Sequence, residues 1–264
     1  MPPTVDALTT HRWDPTWRSF TAVQGGLVVG TVLQAARDLV ARQGPPGREV
    51  LVRTAATHLL APVVPDVALV VQAVADRVAA TSSIRVEARQ GDVLCAVSQV
   101  LVSSAAGAAT VGPVPVPTLP VGWVVPSHAE ELVLPVDFVP MSQHADFRAV
   151  GSGRPLTGGA EPRLTMWTRL RPSAGVTDPL VALGVLVDVL PPSLFAVTTA
   201  PVGLPTVELT LHLVGEPPPV GAWVRVDQVV AWSDGWACVD EAALHDEAGR
   251  LVASARQTRR LPRG

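Results

Sequence analysis

One carboxylate, that of Asp188, lies inside the apolar stretch ALGVLVDVLPP at residues 182–192. Burying an ionised carboxylate is costly unless a partner stabilises it or the protein uses the charge. The stretch is predicted to be helical, and Asp188 comes near its C-terminal end, where the helix dipole disfavours an anion. The dipole and the apolar surroundings both raise the basicity of the group, so Asp188 is a candidate general base. The alternatives are an acid exposed at a frayed helix end, or one paired with a buried Arg.

The elements that must hold Asp188 occur twice along the chain. Each half opens with a tryptophan-containing segment and continues with one helical stretch and four strand-like stretches of partial period-2 alternation. The helical stretches are TAVQGGLVVGTVLQAARDLVARQG (21–44) and TDPLVALGVLVDVLPP (177–192), the second with Thr177 or Asp178 as its N-cap. The strands are predicted within residues 48–62, 66–78, 82–90 and 92–102, and again within residues 204–213, 221–232, 235–246 and 250–260. This order predicts an α+β fold with two tandem units, each a curved antiparallel sheet wrapped around one long helix.

The two halves overlay with a shift of 158 residues in the helices and in the last strand. The shift places Gly30 on Asp188 and Gln99 on Gln257, so the first unit keeps the Gln and lacks the acid. A site built on Asp188 is therefore expected once per chain, in the second half. The predicted organisation is an N-terminal unit at 1–108, a Pro- and Gly-rich linker with little regular structure at 109–160, and a C-terminal unit at 161–264.

The composition excludes several classes of function. The 264 residues carry 20 Lys and Arg against 23 Asp and Glu, so the basic excess of a nucleic-acid-binding protein is absent and no nucleic-acid partner is expected. The apolar runs are shorter than the roughly 18–20 residues of a membrane helix, so no membrane span is expected. The start, MPPTVDALTT, lacks the pattern of an export signal, which favours a cytoplasmic location. Cys95 and Cys238 have neither metal-ligand spacing nor a disulfide framework, and both are expected to be small buried residues.

Five segments, in the same order and over nearly the whole chain, resemble the acyl-CoA thioesterase II family. They are GGLVVGTVLQAA (25–36), THLLAPVVP (57–65), VDVLPP (187–192), PTVELTLHL (205–213) and DEAGRLVASARQ (246–257). The resemblance implies a double hotdog fold, hydrolysis of an acyl-CoA substrate, no cofactor and a homo-oligomer. In that family an Asp, a Thr and a Gln hold and activate the water that attacks the thioester. The matching positions here are Asp188, Thr206 and Gln257.

Thioester hydrolysis by this route needs a base for the water and a donor for the carbonyl oxygen, because the thiolate leaves with little help. The Gln257 amide can position the water and donate to Asp188, and the Thr206 hydroxyl can do either job. The backbone N–H groups of Gly25 and Gly26, at the start of the first helix, are the candidate substrate-binding donors for the oxyanion.

Neighbouring polar residues have less specific interpretations. Glu208 follows Thr206 by two residues, which by strand periodicity puts both on one face, so Glu208 is a candidate second acid. The residues after Gln257, namely Thr258, Arg259 and Arg260, are expected to face solvent.

Two other functions compete with thioester hydrolysis. The first is a non-catalytic acyl-thioester or lipid-binding protein that keeps the hotdog core without the chemistry. The second is an enoyl-CoA hydratase of the double hotdog type. That chemistry resembles families in which an Asp is followed within a few residues by a His in a helix-entry motif. Residues 177–189 contain no His, which argues against this function.

Overall fold

The computed structural model describes residues 5–43, 49–104 and 123–262. These residues form fourteen strands and two α-helices. In each half the helix and the four strands after it follow in the predicted order, whereas the short strands at residues 18–19, 22–23, 130–132 and 145–149 are not part of the predicted pattern. The first half contains β1 (Val5–His11), β2 (Arg18–Ser19), β3 (Ala22–Val23), α1 (Gly25–Gln43), β4 (Leu51–Leu59), β5 (Leu69–Arg77), β6 (Thr81–Gln90) and β7 (Val93–Ser103). The second half contains β8 (Glu130–Leu132), β9 (Ala145–Ala149), β10 (Arg163–Leu170), α2 (Pro179–Val187), β11 (Thr206–Leu213), β12 (Val224–Ser233), β13 (Ala237–Asp246) and β14 (Leu251–Arg260).

Twelve of these strands form one continuous antiparallel sheet. Its order is β1-β5-β6-β7-β4-β11-β14-β13-β12-β10-β9-β8, and β2 pairs with β3 alone. The two halves join where β4 pairs with β11, with Ala56 opposite Thr210. A single hydrophobic cluster contains buried residues of both helices and of strands from both halves. The predicted α+β class, the four strands after each helix and the shared core are confirmed.

The two helices differ in how much of their surface is covered. The last residues of α1, such as Arg42, are exposed, whereas every residue of α2 after Pro179 is buried. A helix that is apolar on all sides must be covered on all sides, which explains the position of α2 inside the sheet. Of the two predicted candidates, Thr177 and Asp178, Asp178 is the N-cap of α2, and its carboxylate accepts from the Leu180 N–H at 2.8 Å. Neither helix in the described part of the chain combines the length and apolarity needed to cross a membrane.

The helices cross in direct backbone contact at glycines. A Cβ built on Gly184 would lie 2.5 Å from the Cα of Gly30, and one built on Gly26 would lie 2.3 Å from the carbonyl oxygen of Gly184. Since the obstructing atoms belong to backbone, no side-chain movement can relieve such contacts, and glycine alone fits. The crossing brings the start of α1 against the end of α2, where Asp188 lies.

A second contact ties the other end of α2 to α1. Nη2 of Arg37 lies 2.7 Å from Oδ2 of Asp178, and Nε2 of Gln34 donates to the same oxygen at 3.2 Å. Asp178 therefore caps α2 and pairs with α1 through different oxygens. The two helices are held at both ends of α2, which fixes the place of Asp188 relative to α1.

The structure describes only part of the predicted linker at 109–160, because residues 109–122 lie outside the described residues. Residues 123–160 contain β8 and β9, which extend the sheet beyond β10. The ring of Trp123 packs edge-on against Trp167 at 5.1 Å, and Nε1 of Trp167 donates to the Val124 carbonyl at 2.7 Å. This part has more regular structure than its Pro and Gly content indicates, because pairing with the edge of β10 satisfies its backbone groups. The unit boundaries stay a prediction.

The glycine crossing can be tested by adding one methyl group. We expect Gly184→Ala to lower the free energy of unfolding by about 1–3 kcal/mol, the usual cost of overpacking a close contact. The matched control is Gly203→Ala, since a Cβ at Gly203 meets no atom within 4 Å. The control should change stability by at most about 1 kcal/mol, and in the favourable direction. Urea unfolding of the two variants measures both values, and equal stability of the two would contradict the crossing.

Candidate active site

The carboxylate of Asp188 lies at the junction of the two helices. Asp188 directly follows the last residue of α2, and its backbone N–H still donates to the Val185 carbonyl at 3.2 Å. Its side chain is 10% exposed, and its Oδ2 accepts from the Gly26 backbone N–H at 3.0 Å. The anion therefore lies at the negative end of α2, which disfavours it, and against the positive end of α1, which stabilises it.

Gln24, the residue before α1, ties the same two helix ends together. Its Oε1 accepts from the Leu27 N–H of α1 at 2.8 Å. Its Nε2 donates to the carbonyls of Val185 at 3.0 Å and of Asp188 at 2.9 Å, at the end of α2 where the last carbonyls lack a helical N–H four residues on. One buried amide thus caps the start of one helix and the end of the other, and it fixes the backbone that carries the carboxylate.

Strand β14 presents two buried polar side chains to this junction. Gln257 and Arg259 are 1% and 4% exposed, respectively, and they share the inner face because they are two residues apart. Nε2 of Gln257 donates to the Val187 carbonyl at the end of α2 at 2.9 Å. The intervening Thr258 lies on the outer face and donates to Glu208 at 3.2 Å.

The guanidinium of Arg259 contacts all three predicted catalytic residues. Its Nη1 donates to Oγ1 of Thr206 at 2.8 Å, and its Nη2 donates to Oε1 of Gln257. The same Nη2 lies 3.7 Å from Oδ1 of Asp188. Its Nε donates to Oδ2 of Asp240, a carboxylate of β13 that is 1% exposed, at 2.7 Å. Asp188, Thr206 and Gln257 therefore belong to one network, and Arg259 is its centre.

Burial raises the pKa of Asp188 above its usual range, because desolvation penalises the anion. The positive charge of Arg259, the Gly26 N–H and the Gln257 amide oppose this rise, whereas the negative charge of Asp240 adds to it. The net direction is upward, so desolvation outweighs the donors. A carboxylate with a raised pKa is a stronger base than an exposed Asp.

Two expectations from the sequence about side-chain direction are wrong. Arg259 is buried instead of facing solvent, although its spacing from Gln257 indicates a shared face. Glu208 does not share a face with Thr206, because a β-bulge between the two residues reverses the alternation, and Glu208 contacts Thr210 and Thr258 on the outer face. The residue pattern also gives no sign of Gln24 and Asp240, the two other members of the network.

Gln99, which the repeat overlays on Gln257, does not occupy the equivalent place in the structure. Gln99 is exposed and donates to Asp76 at 3.1 Å and to Ser83 at 2.6 Å on the outer face. The neighbouring Ser98 is the buried residue, and it bonds to Thr57 at 2.9 Å. The alternation on this strand of the first unit is thus offset by one residue, so the places that correspond to Asp188 and Gln257 hold neither an acid nor a Gln.

The two glycines predicted to bind substrate have different places in the network. The Gly26 N–H donates to Asp188, so its partner is the protein's own carboxylate instead of an oxyanion. Gly25 lies beside the same carboxylate, since a Cβ built on it would be 3.1 Å from Oδ2 of Asp188. The hydrogen bonds of the described residues leave the Gly25 N–H as the available donor of the pair. The combined groups could abstract a proton from water and stabilise a nearby oxyanion.

Comparison with known proteins identifies the scaffold. Residues 117–260 match the family described as Acyl-CoA thioesterase C-terminal domain. A conserved protein of unknown function with a hot dog fold from Alicyclobacillus acidocaldarius superposes with a TM-score of 0.79 at 17% identity, covering 99% of this chain and 96% of that one. No curated protein matches the chain.

Two further solved structures carry thioesterase names. The tesB protein of Mycobacterium avium subs. paratuberculosis has a TM-score of 0.70 at 16% identity, covering 99% of this chain and 96% of that one. An acyl-CoA thioesterase II, TesB2, from Mycobacterium marinum has a TM-score of 0.61 at 17% identity, covering 90% and 91% of the two chains. The double hotdog fold predicted from the resemblance is confirmed.

The cost of burying Asp188 predicts how stability depends on pH. The folded-state pKa of Asp188 lies above the unfolded value, so its ionisation destabilises the fold as pH rises through that interval. We expect the free energy of unfolding of Asp188→Asn, relative to wild type, to increase as pH rises above about 4. The increase should be about 1.4 kcal/mol for every pH unit between the unfolded-state and folded-state pKa values. Urea unfolding between about pH 2 and pH 7 measures the difference.

A control with the opposite sign is Asp146→Asn. Burial acts to raise the pKa of Asp146, but hydrogen bonds from Arg169 and Arg171 outweigh it and lower the pKa. Ionised Asp146 therefore stabilises the fold, and this contribution is lost as pH falls through the folded-state pKa. The free energy of unfolding of Asp146→Asn, relative to wild type, should decrease as pH rises toward about 4. If the free energy of unfolding relative to wild type rose with pH in both Asp188→Asn and Asp146→Asn, the environments described for the two carboxylates would be wrong.

Proposed function

The chain belongs to the acyl-CoA thioesterase C-terminal domain family, which makes it a thioester hydrolase, and on that premise we propose that it hydrolyses acyl-CoA with Asp188 as the general base. The observation that carries the proposal is the buried carboxylate at the helix junction, held by a backbone N–H and a guanidinium. Structural buried carboxylates are normally paired closely, whereas Oδ1 of Asp188 lies 3.7 Å from its cation and keeps acceptor capacity for a water.

In the proposed reaction a water bound beside Asp188 attacks the thioester carbonyl carbon. Asp188 takes the proton as the new C–O bond forms, and the carbonyl oxygen becomes an oxyanion. Collapse of the tetrahedral intermediate breaks the C–S bond, and the thiolate of coenzyme A leaves. A thiolate is a good leaving group near neutral pH, so one base and a set of donors are sufficient.

The donors of the proposed site follow from the hydrogen-bond directions. A guanidinium only donates, so the Thr206 oxygen accepts from Arg259 and its own O–H remains to donate to the water or to the carbonyl oxygen. We assign the Gly25 N–H, at the positive end of α1, as a second donor to the oxyanion. Gln257 binds Arg259 and the end of α2, so its role in the proposal is to fix the position of Asp188 relative to Arg259.

Three other expectations stay predictions: acyl-CoA as the substrate, a cytoplasmic location and a homo-oligomer. The substrate is the one on which the mechanism depends, because the acyl chain and coenzyme A must reach Asp188. Its side chain is 10% exposed, so a small part of the carboxylate surface is open to solvent. The competing hypothesis of an enoyl-CoA hydratase lacks support, since the network described above contains no His near Asp188.

Thiol release from a panel of acyl-CoAs tests the proposal directly. The panel runs from short to long chains and includes a branched and an aromatic acyl group. We expect Asp188→Asn to lower kcat on the best substrate by about 10²–10⁴-fold, because the general base is lost. The acidic limb of kcat/KM in the wild type should lie above about pH 3.9, the ordinary Asp value, since burial raises the pKa of Asp188.

The matched acid control is Asp92→Asn, because Asp92 is exposed in the turn between β6 and β7. It should keep wild-type kcat. Unchanged kcat in folded Asp188→Asn would show that the base lies elsewhere. Binding of acyl-CoA by the wild type without any thiol release would favour the non-catalytic binding protein instead.

A further inference from the structure

We propose that Arg259 is the positioning residue of this site: its guanidinium orients Thr206 and Gln257 and, balanced by Asp240, holds Asp188 as an anion. The inference rests on the proposed function. It concerns two residues, Arg259 and Asp240, that are absent from the set predicted from the sequence. The support is partly geometric and partly electrostatic.

The geometric support is the fork of the guanidinium. Its three nitrogens point to three different side chains: Nε to Asp240, Nη1 to Thr206 and Nη2 to Gln257. These residues come from three adjacent strands, β13, β11 and β14, so one planar group sets the relative places of side chains across the sheet. A Lys ammonium is a point charge on a flexible stem and cannot reproduce three directions in one plane.

The fork also determines which groups donate. Thr206 and Gln257 must accept from Arg259, because a guanidinium has no acceptor. The Thr206 hydroxyl proton is therefore directed away from Arg259, and the Gln257 amide nitrogen is directed to the end of α2. Without Arg259 both side chains can rotate, and the Thr206 oxygen can turn to accept from the water that it is proposed to orient.

The electrostatic support is the order of charges across the network. Arg259 lies between two carboxylates, 2.7 Å from Oδ2 of Asp240 and 3.7 Å from Oδ1 of Asp188. Asp240 is the closer partner, so it neutralises most of the positive charge of Arg259. The negative charge of Asp188 is then only partly compensated. Asp188 can then remain ionised without becoming too weak a base. Removal of Arg259 would leave two buried carboxylates in one site, and one of them would take up a proton.

The groups that face Asp188 are known from each packed element. Helix α1 contributes the Gly26 N–H, β14 contributes Arg259 and Gln257, and β13 contributes Asp240. Cys238 of β13 is also near Arg259 and Asp240, and burial raises the pKa of its thiol, which keeps it neutral near pH 7. Only Arg259 and Asp240 therefore carry charge toward Asp188 within the described residues.

The test is the pH profile of kcat/KM for Arg259→Gln and Asp240→Asn, measured with the acyl-CoA that the wild type hydrolyses best. Loss of the cation should move the acidic limb to higher pH by about one pH unit or more, and loss of the Asp240 charge should move it to lower pH. At any pH below the limb, moving it up by about one pH unit lowers the ionised fraction of Asp188 about tenfold. The kcat of Arg259→Gln on the acidic side should therefore fall by about tenfold or more, with a smaller change in KM.

Three further variants separate positioning from charge and from folding. Arg259→Lys should keep the acidic limb near its wild-type place and still lose kcat, because the charge remains and the fork is lost. Added guanidinium ion, below denaturing concentration, should restore part of the activity of Arg259→Ala, whereas methylammonium should not. Arg256→Gln is the matched control, since Arg256 lies on the same strand and is 56% exposed in its pair with Glu241. It should keep the wild-type rate and profile.

The proposal is overturned if the limbs of Arg259→Gln and Asp240→Asn move in the same direction or stay at the wild-type value. It is also overturned if Arg259→Lys is fully active. Absence of any turnover in the wild type would contradict the proposed function but not this assignment. The titration of the Asp188 carboxyl, followed by ¹³C NMR in the wild type and the same two variants, would then test the assignment. Its midpoint should move to higher pH in Arg259→Gln and to lower pH in Asp240→Asn.

Discussion

The site depends on one requirement: the carboxylate of Asp188 must be held in an apolar interior without being fully neutralised. Desolvation disfavours the anion, and the negative end of α2 disfavours it further. The compensation comes from the Gly26 N–H at the start of α1 and from Arg259 on β14. The first of these is possible only because α1 and α2 cross in backbone contact at Gly184, so the glycine crossing and the buried acid are parts of one arrangement.

This arrangement explains why both units are needed although only the second has the acid. The first unit supplies α1 and Gln24, whose amide binds the last carbonyls of α2. The second unit supplies Asp188 and the three strands that present Thr206, Arg259 and Asp240. The two halves therefore meet at the proposed catalytic centre as well as in the continuous sheet. Gly30, which stands in the place of the acid in the first unit, serves the helix crossing.

The fold and the place of Asp188 could be predicted from the sequence better than side-chain directions could. The order of the helices and strands along the chain, the N-cap of α2 and the place of Asp188 near the C-terminal end of α2 follow from capping residues, period-2 alternation and the repeat, most of which are local signals. The C-terminal end of α2 is wrong in the prediction, since the predicted helical stretch runs to residue 192 and α2 ends at Val187. Glu208 is misplaced by simple alternation because a bulge after Thr206 reverses it, and a bulge leaves no clear mark in the residue types. Arg259 is misjudged because an Arg near the end of a chain is usually solvated. Its partner Asp240 lies on another strand, and no local pattern connects the two residues.

The role of Asp188 as the base is tested most directly by titrating its carboxyl, by ¹³C NMR of protein labelled at Asp carboxyls. The Asp188 resonance is identified by its absence from Asp188→Asn. The account predicts that it titrates above the ordinary Asp value of about 3.9, at the same pH as the acidic limb of kcat/KM. An Asp188 that titrates at or below the ordinary value, or at a pH unrelated to that limb, would contradict its role as the base.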